Sequence, residues 1–139
     1  MPALAAAALC LVVGITDGDT IKVRCGEGEQ EKVRLTQIDT PERKQAFGTQ
    51  AKQALSELIF QKEIQLVREG KDRYQRVLGA IYLDGVHINF EMVRNGFAWC
   101  YLKYLTDDSC LELESNARDS RSGLWADTGA VPPWDFRRK

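Results

Sequence analysis

Between Leu9 and Leu83 the hydrophobic pattern has the period of a strand everywhere except one stretch, and that limits the folds open to the chain. Leu9 to Thr16 is rich in β-branched residues, Thr20 to Cys25 alternates Ile21 and Val23 against Lys22 and Arg24, and Lys32 to Ile38 alternates Val33 and Leu35 against Lys32 and Arg34. Each run is a predicted strand. Asp17-Gly18-Asp19 and Gly26-Glu27-Gly28-Glu29 are the turns between them. The exception is Ala51, Ala54, Leu55, Leu58 and Ile59, whose spacing predicts an amphipathic helix over 49–61. Strand pattern then returns over 63–68 and 77–83, where Gly79 marks a bulge or a barrel bend. The order β-β-β-α-β-β suits an α+β fold built on a five-stranded Greek-key barrel of the OB type. Asn89 is expected to cap a short helix ending near Gly96, and a last helix is expected over 108–122, closed by Gly123.

A length of 139 residues suits one domain with a real core. We place that domain at residues 9–125, with a proline-broken basic tail at 126–139. Residues 1–8 read as the remnant of a signal peptide or a disordered start. The apolar run from Met1 to Val13 is too short for a membrane span, and it lacks the basic start of a complete signal peptide. The small-residue stretch still points to export, periplasmic or secreted, with a helical or frayed N-terminus as the alternative. No membrane association and a monomer are expected.

Four cysteines stand at 10, 25, 100 and 110, without Cys-x-x-Cys spacing, which argues against a zinc site. An even count in an exported chain favours disulfides. Cys100–Cys110 is the first pairing expected and Cys10–Cys25, on neighbouring strands, the second. Four buried free thiols are the alternative.

Net charge is −1, which lends nucleic-acid binding no global support. The distribution is uneven, with twelve Lys/Arg against nine Asp/Glu between Lys22 and Arg76, and seven against nine from Val77 onward. A single histidine, His87, disfavours chemistry that needs two, and we read it as structural. Carboxylates and arginines remain. Asp19 and Asp39 lie at strand ends near turns, where oxygen ligands for a hard cation are expected, and Thr40 can add its carbonyl. Glu42 follows a stiffening proline and suits a general base. Arg34 and Arg76 can converge on one phosphate. Each motif alone has a plainer reading as a turn, a loop or a solvated strand face. Their joint occurrence, in this order on these elements, carries the inference.

Val12 to Trp125 resembles the staphylococcal nuclease (thermonuclease) family. The resemblance lies in Ile15-Thr16-Asp17-Gly18-Asp19-Thr20, Val33-Arg34-Leu35, Ile38-Asp39-Thr40-Pro41-Glu42, Asp72-Arg73-Tyr74-Gln75-Arg76 and Val93-Arg94-Asn95-Gly96. It implies an OB-type barrel with three helices and a calcium-dependent endonuclease that cuts DNA and RNA with little sequence preference, leaving 3′-phosphate ends. It also implies that Asp19, Asp39 and the Thr40 carbonyl ligate Ca2+, that Glu42 is the base and that Arg34 and Arg76 contact the scissile phosphate. Arg73 and Tyr74 fall where the family grips a second phosphate, and Tyr101 or Tyr104 where it contacts the nucleotide. The chain departs from the family in a short loop, Arg43 to Gly48, and in its cysteines. The alternative is a non-catalytic OB-type module that binds nucleic acid or a protein.

Overall fold

The structure is a computed structural model and describes residues 7–138. The expected leader remnant falls largely on residues outside that range; the first strand begins at Ala8. Strands β1 (Ala8–Asp17), β2 (Thr20–Cys25) and β3 (Gln30–Leu35) form an antiparallel meander. A two-residue strand β4 (Ile38–Asp39) and helix α1 (Gly48–Ile59) follow. Strands β5 (Glu63–Lys71) and β6 (Val77–Leu83) give the sheet order β3-β2-β1-β5-β6. Parallel pairing of β3 with β6, Val33 opposite Val77 and Leu35 opposite Gly79, closes the five strands into a barrel. Strand β7 (Val86–His87) extends β6, helix α2 (Ile88–Arg94) follows, and β8 (Trp99–Cys100) pairs with β4. Helix α3 (Ser109–Asp119) and a one-turn helix α4 (Pro133–Phe136) complete the chain. The architecture is thus the mixed α+β barrel with three main helices that the pattern suggests.

Alternation dictates the interior. Val12, Ile21, Val23, Val33, Leu35, Leu66 and Ile81 are fully buried within the barrel, while Lys22 and Arg24 face water. Helix α1 lays Ala51, Leu55 and Ile59 on the same core. Gly79 sits where the barrel is tightest: a Cβ there would lie 2.7 Å from Leu66 Cδ1 and 3.0 Å from the Val67 carbonyl. The bulge itself is on the facing strand, between Arg68 and Gly70.

Two local expectations change. The predicted strand over 32–38 breaks after Leu35, because Gln37 turns into the left-handed region at φ 69°. The break sends β4 away from the barrel to pair with β8, Ile38 opposite Cys100 and Asp39 opposite Trp99. Asn89 does not cap α2, which starts at Ile88 after His87. Its amide is wholly buried and acts as a strut, accepting from Ile81 N at 3.0 Å and donating to the carbonyls of Thr36 (3.0 Å) and Gly79 (3.2 Å). Buried backbone groups of β6 and the β3–β4 turn thereby find partners.

Both expected disulfides are present. Cys10–Cys25 joins directly opposed residues of β1 and β2, and Cys100–Cys110 ties β8 to α3. They close loops with sequence separations of 15 and 10 residues, so each is expected to contribute about 2–3 kcal/mol. Reduction with a thiol should lower the thermal midpoint by roughly 10 °C or more for a domain of this size; scanning calorimetry with and without reductant checks this.

His87 stacks on Tyr82 at 4.9 Å and leans on Phe90 at 4.4 Å. Its Nε2 is buried without a hydrogen-bond partner. Burial pushes its pKa down to about 4, against the opposing pull of the Asp107 carboxylate. The folded ring is therefore neutral where the unfolded one, with a pKa near 6.5, takes a proton. This contribution to stability is complete above pH 6.5 and is lost as pH falls from 6.5 toward 4, by no more than about 3 kcal/mol. His87→Phe keeps the stacking and removes the proton, so its thermal midpoint should fall less than the wild type's between pH 7 and pH 4.5.

Candidate active site

Four buried polar side chains gather at one end of the barrel. Asp19, Thr20, Asp39 and Thr40 are all buried there. The β1–β2 turn can sink Asp19 because Gly18 has no side chain: a Cβ at Gly18 would sit 2.8 Å from both Ala51 Cβ and Thr40 Oγ1. In that position Asp19 Oδ2 accepts the backbone N–H of Thr40 at 3.0 Å, and Oδ1 accepts the Thr20 hydroxyl at 3.2 Å.

Arg34 stands opposite Thr20 in the β2–β3 register. Its Nη2 lies 3.4 Å from Asp19 Oδ2 and 3.3 Å from Asp39 Oδ1. Its Nη1 donates to the carbonyls of Leu35 (2.5 Å) and Ile38 (3.0 Å), satisfying the turn between β3 and β4. One guanidinium therefore holds the two candidate metal ligands together and shapes the turn that delivers the second of them.

Asp17, at the other side of the turn, accepts from Asp19 N at 3.0 Å. Burial, reinforced by the Asp19 charge, pushes its carboxyl up to about 7. Burial also pushes Asp19 up, but Arg34 and the surrounding donors overcome it and hold Asp19 below the ordinary carboxylate value. The two neighbours are thus pushed in opposite directions, Asp17 up and Asp19 down. Burial raises Asp39, and hydrogen bonds from Arg137 oppose it without cancelling it.

Glu42 follows Pro41 in a tight coil. Its N–H donates to Gln45 Oε1 at 3.1 Å, and its carbonyl accepts from Gln45 N at 2.9 Å. Gly48 is obligatory at the end of this coil, since a Cβ there would lie 2.0 Å from the Glu42 carbonyl oxygen. Arg76 reaches the site from the β5–β6 loop. Asp72 orients it, accepting from Arg76 Nε at 2.8 Å and from the N–H groups of Tyr74 (2.8 Å) and Arg76 (3.0 Å). Arg76 Nη1 stands 3.5 Å from Thr20 Oγ1, which itself bonds Asp19.

Asp19, Arg34, Asp39 and Thr40 are thus in direct contact, Arg76 joins them through Thr20, and Glu42 joins them through Arg137. Arg73 and Tyr74 are exposed on the rim, where the Tyr74 ring carries Arg73 at 5.1 Å and Arg76 at 5.6 Å. Tyr101 meets the site through its hydroxyl, 3.3 Å from Arg137 Nη2, and Tyr104 stands edge-on behind it at 5.0 Å. Three further residues take part: Asp17, Asp72 and Arg137. Asp17 and Asp72 lie inside motifs already noted. Arg137 carried only the weak signal of a basic tail, yet it bonds Asp39 and Glu42 directly.

Among the described residues no group of three or more His, Cys, Asp or Glu side chains is placed to hold a metal ion. The donors that do converge are oxygens alone, which suits a hard divalent cation whose shell water can complete. The Arg137 guanidinium seated on Asp39 and Glu42 shows that this corner accepts positive charge.

The profile of the family described as staphylococcal nuclease homologue matches residues 32–127. An uncharacterized endonuclease of Haemophilus influenzae is 45% identical over 130 residues, covering 94% of this chain and 73% of its own. A micrococcal nuclease of Shigella flexneri is 43% identical over 138 residues, covering 91% and 79%. An uncharacterized endonuclease of Escherichia coli is 40% identical over 129 residues, covering 92% and 84%.

The tight seat of the β1–β2 turn is testable. Gly18→Ala forces Thr40 and Ala51 apart and should cost about 1–3 kcal/mol, measured by urea denaturation. An unchanged midpoint would mean that the turn does not bear on α1.

Proposed function

The chain belongs to the staphylococcal nuclease family, and on that footing we propose that it is a calcium-dependent endonuclease of DNA and RNA with little sequence preference, releasing 3′-phosphate ends. The observation that carries this reading is the bridging of two buried aspartates by Arg34, with Arg76 linked to the same pair through Thr20. Asp19, Asp39 and the Thr40 carbonyl would hold the cation. Bound calcium would supply positive charge against the phosphate and favour ionisation of water nearby. Glu42 takes the proton from the attacking water. The water oxygen bonds to phosphorus, the P–O5′ bond breaks, and the departing 5′-oxygen takes a proton from solvent water. Arg34 and Arg76 stabilise the charge that builds on the phosphoryl oxygens, each by about 3 kcal/mol. Arg73 and Tyr74 on the rim grip a neighbouring phosphate, and Tyr101 and Tyr104 offer rings to a base.

Disulfides persist in oxidising compartments, so the two bridges support an extracytoplasmic setting, and we assign the protein to the periplasm or the exterior. Among the described residues no helix is long and apolar enough to cross a membrane. We propose that it acts as a monomer.

Plasmid DNA and RNA digests with and without calcium test the reading. Cleavage should stop in chelator, and products should carry 3′-phosphates; undiminished cutting in chelator defeats the metal assignment. Arg34→Ala and Arg76→Ala should each lower turnover at least about a hundredfold. Circular dichroism checks that the fold survives. Near wild-type turnover in either variant would remove that arginine from the mechanism.

A further inference from the structure

The segment from Val131 to Arg138 lies across the site just described. Its Val131 carbonyl accepts from the side-chain amide of Gln45, in the coil that carries Glu42. Pro133 is buried. The Trp134 ring stacks on Tyr101 at 5.5 Å with an interplanar angle of 7°, and stands edge-on to Trp99 at 6.3 Å. Arg137 completes the seat. Its Nη2 lies 2.6 Å from Asp39 Oδ2, and its Nη1 lies 2.6 Å from Glu42 Oε1 and 3.2 Å from Asp39 Oδ1.

These contacts use the groups that the proposed reaction needs. Arg137 takes both oxygens of a candidate cation ligand and one oxygen of the candidate base. Trp134 covers a ring face of Tyr101 on which a nucleobase would stack. A cation at Asp39 and the guanidinium cannot share those oxygens, and like charges there repel.

The seat joins a firm contact, Arg137 on both oxygens of buried Asp39, to a weaker one at Glu42. The Glu42–Arg137 pair is open to water, with side chains 38% and 37% exposed, so its net attraction is modest. A pocket of about 200 Å³, partly open to solvent, borders the segment, lined by Phe47, Trp99, Leu124, Val131 and Phe136 among others.

We propose that residues 131–138 form an autoinhibitory strap, which occupies the cation and nucleobase positions of the site and is displaced when calcium and nucleic acid bind. The proposal rests on the nuclease reading above and adds a regulatory element to it. A strap seated nine-tenths of the time would weaken apparent affinity about tenfold.

The test uses the full chain and Arg137→Ala. Calcium affinity is measured by calorimetry, with and without a short oligothymidylate. Release is read from chymotrypsin cleavage at Trp134 or Phe136. The variant should bind calcium about tenfold more tightly than the wild type, and it should be cut rapidly even without calcium. The wild type should become susceptible only as calcium and oligonucleotide are added. Equal calcium and oligonucleotide affinities in the two proteins would overturn the strap. Weaker calcium binding in the variant, or equal binding with turnover lowered, would overturn it too and make Arg137 a working member of the site. If neither protein binds calcium, the metal assignment fails while the strap is still decided: tighter oligonucleotide binding by the variant supports it, and equal binding defeats it.

Discussion

The guanidinium of Arg34 is the contact on which the site depends. Asp19 arrives from the β1–β2 turn and Asp39 from a strand that has left the barrel, and both are buried. Two bare carboxylates at that depth would repel each other and lose their hydration. Arg34 lies within 3.4 Å of one and 3.3 Å of the other, and also satisfies the carbonyls of the turn between β3 and β4. The same side chain thus sets backbone shape and charge balance. Its position follows from its register opposite Thr20, and so from the barrel itself.

The barrel's contribution is closure. The β3–β6 pairing brings the end of the meander against the strand that follows the Arg76 loop. Gly79 allows that approach, and Asn89 pins α2 to the seam. On the outer side, Cys100–Cys110 anchors β8, the partner of β4, to α3. Elements far apart in the chain are held rigidly around a small group of polar side chains, as a preorganised site requires.

The charges at this end are closely matched. Burial and the Asp19 charge push the Asp17 carboxyl up to about 7, Arg34 offsets the two aspartates, and Arg137 covers Asp39 and Glu42. The carboxylates of Asp19, Asp39 and Glu42 are thus compensated by the protein's own guanidinium groups.

Much of this was legible along the chain. Alternation of Val33 and Leu35 against Lys32 and Arg34 marked a strand, the helical spacing from Ala51 to Ile59 marked α1, and the motifs placed Asp19, Arg34, Asp39, Glu42 and Arg76 at strand ends and loops. These are local signals, because side-chain period and turn chemistry act between residues close in sequence. What lay beyond reach were contacts that span the chain. The break at Gln37 depends on hydrogen bonds from Arg34 and on the pairing with β8. Asn89 looked like a cap because its interior partners, Thr36 and Gly79, are distant in sequence. Arg137 is 98 residues from Asp39, and no local pattern distinguishes a basic residue in solvent from one seated on a buried carboxylate. Local pattern along the chain sets the main strands and helices and brings acidic and basic residues to strand ends and loops. Tertiary structure decided which charges meet, because distance and burial, which set the strength of an electrostatic contact, exist only once the chain has closed.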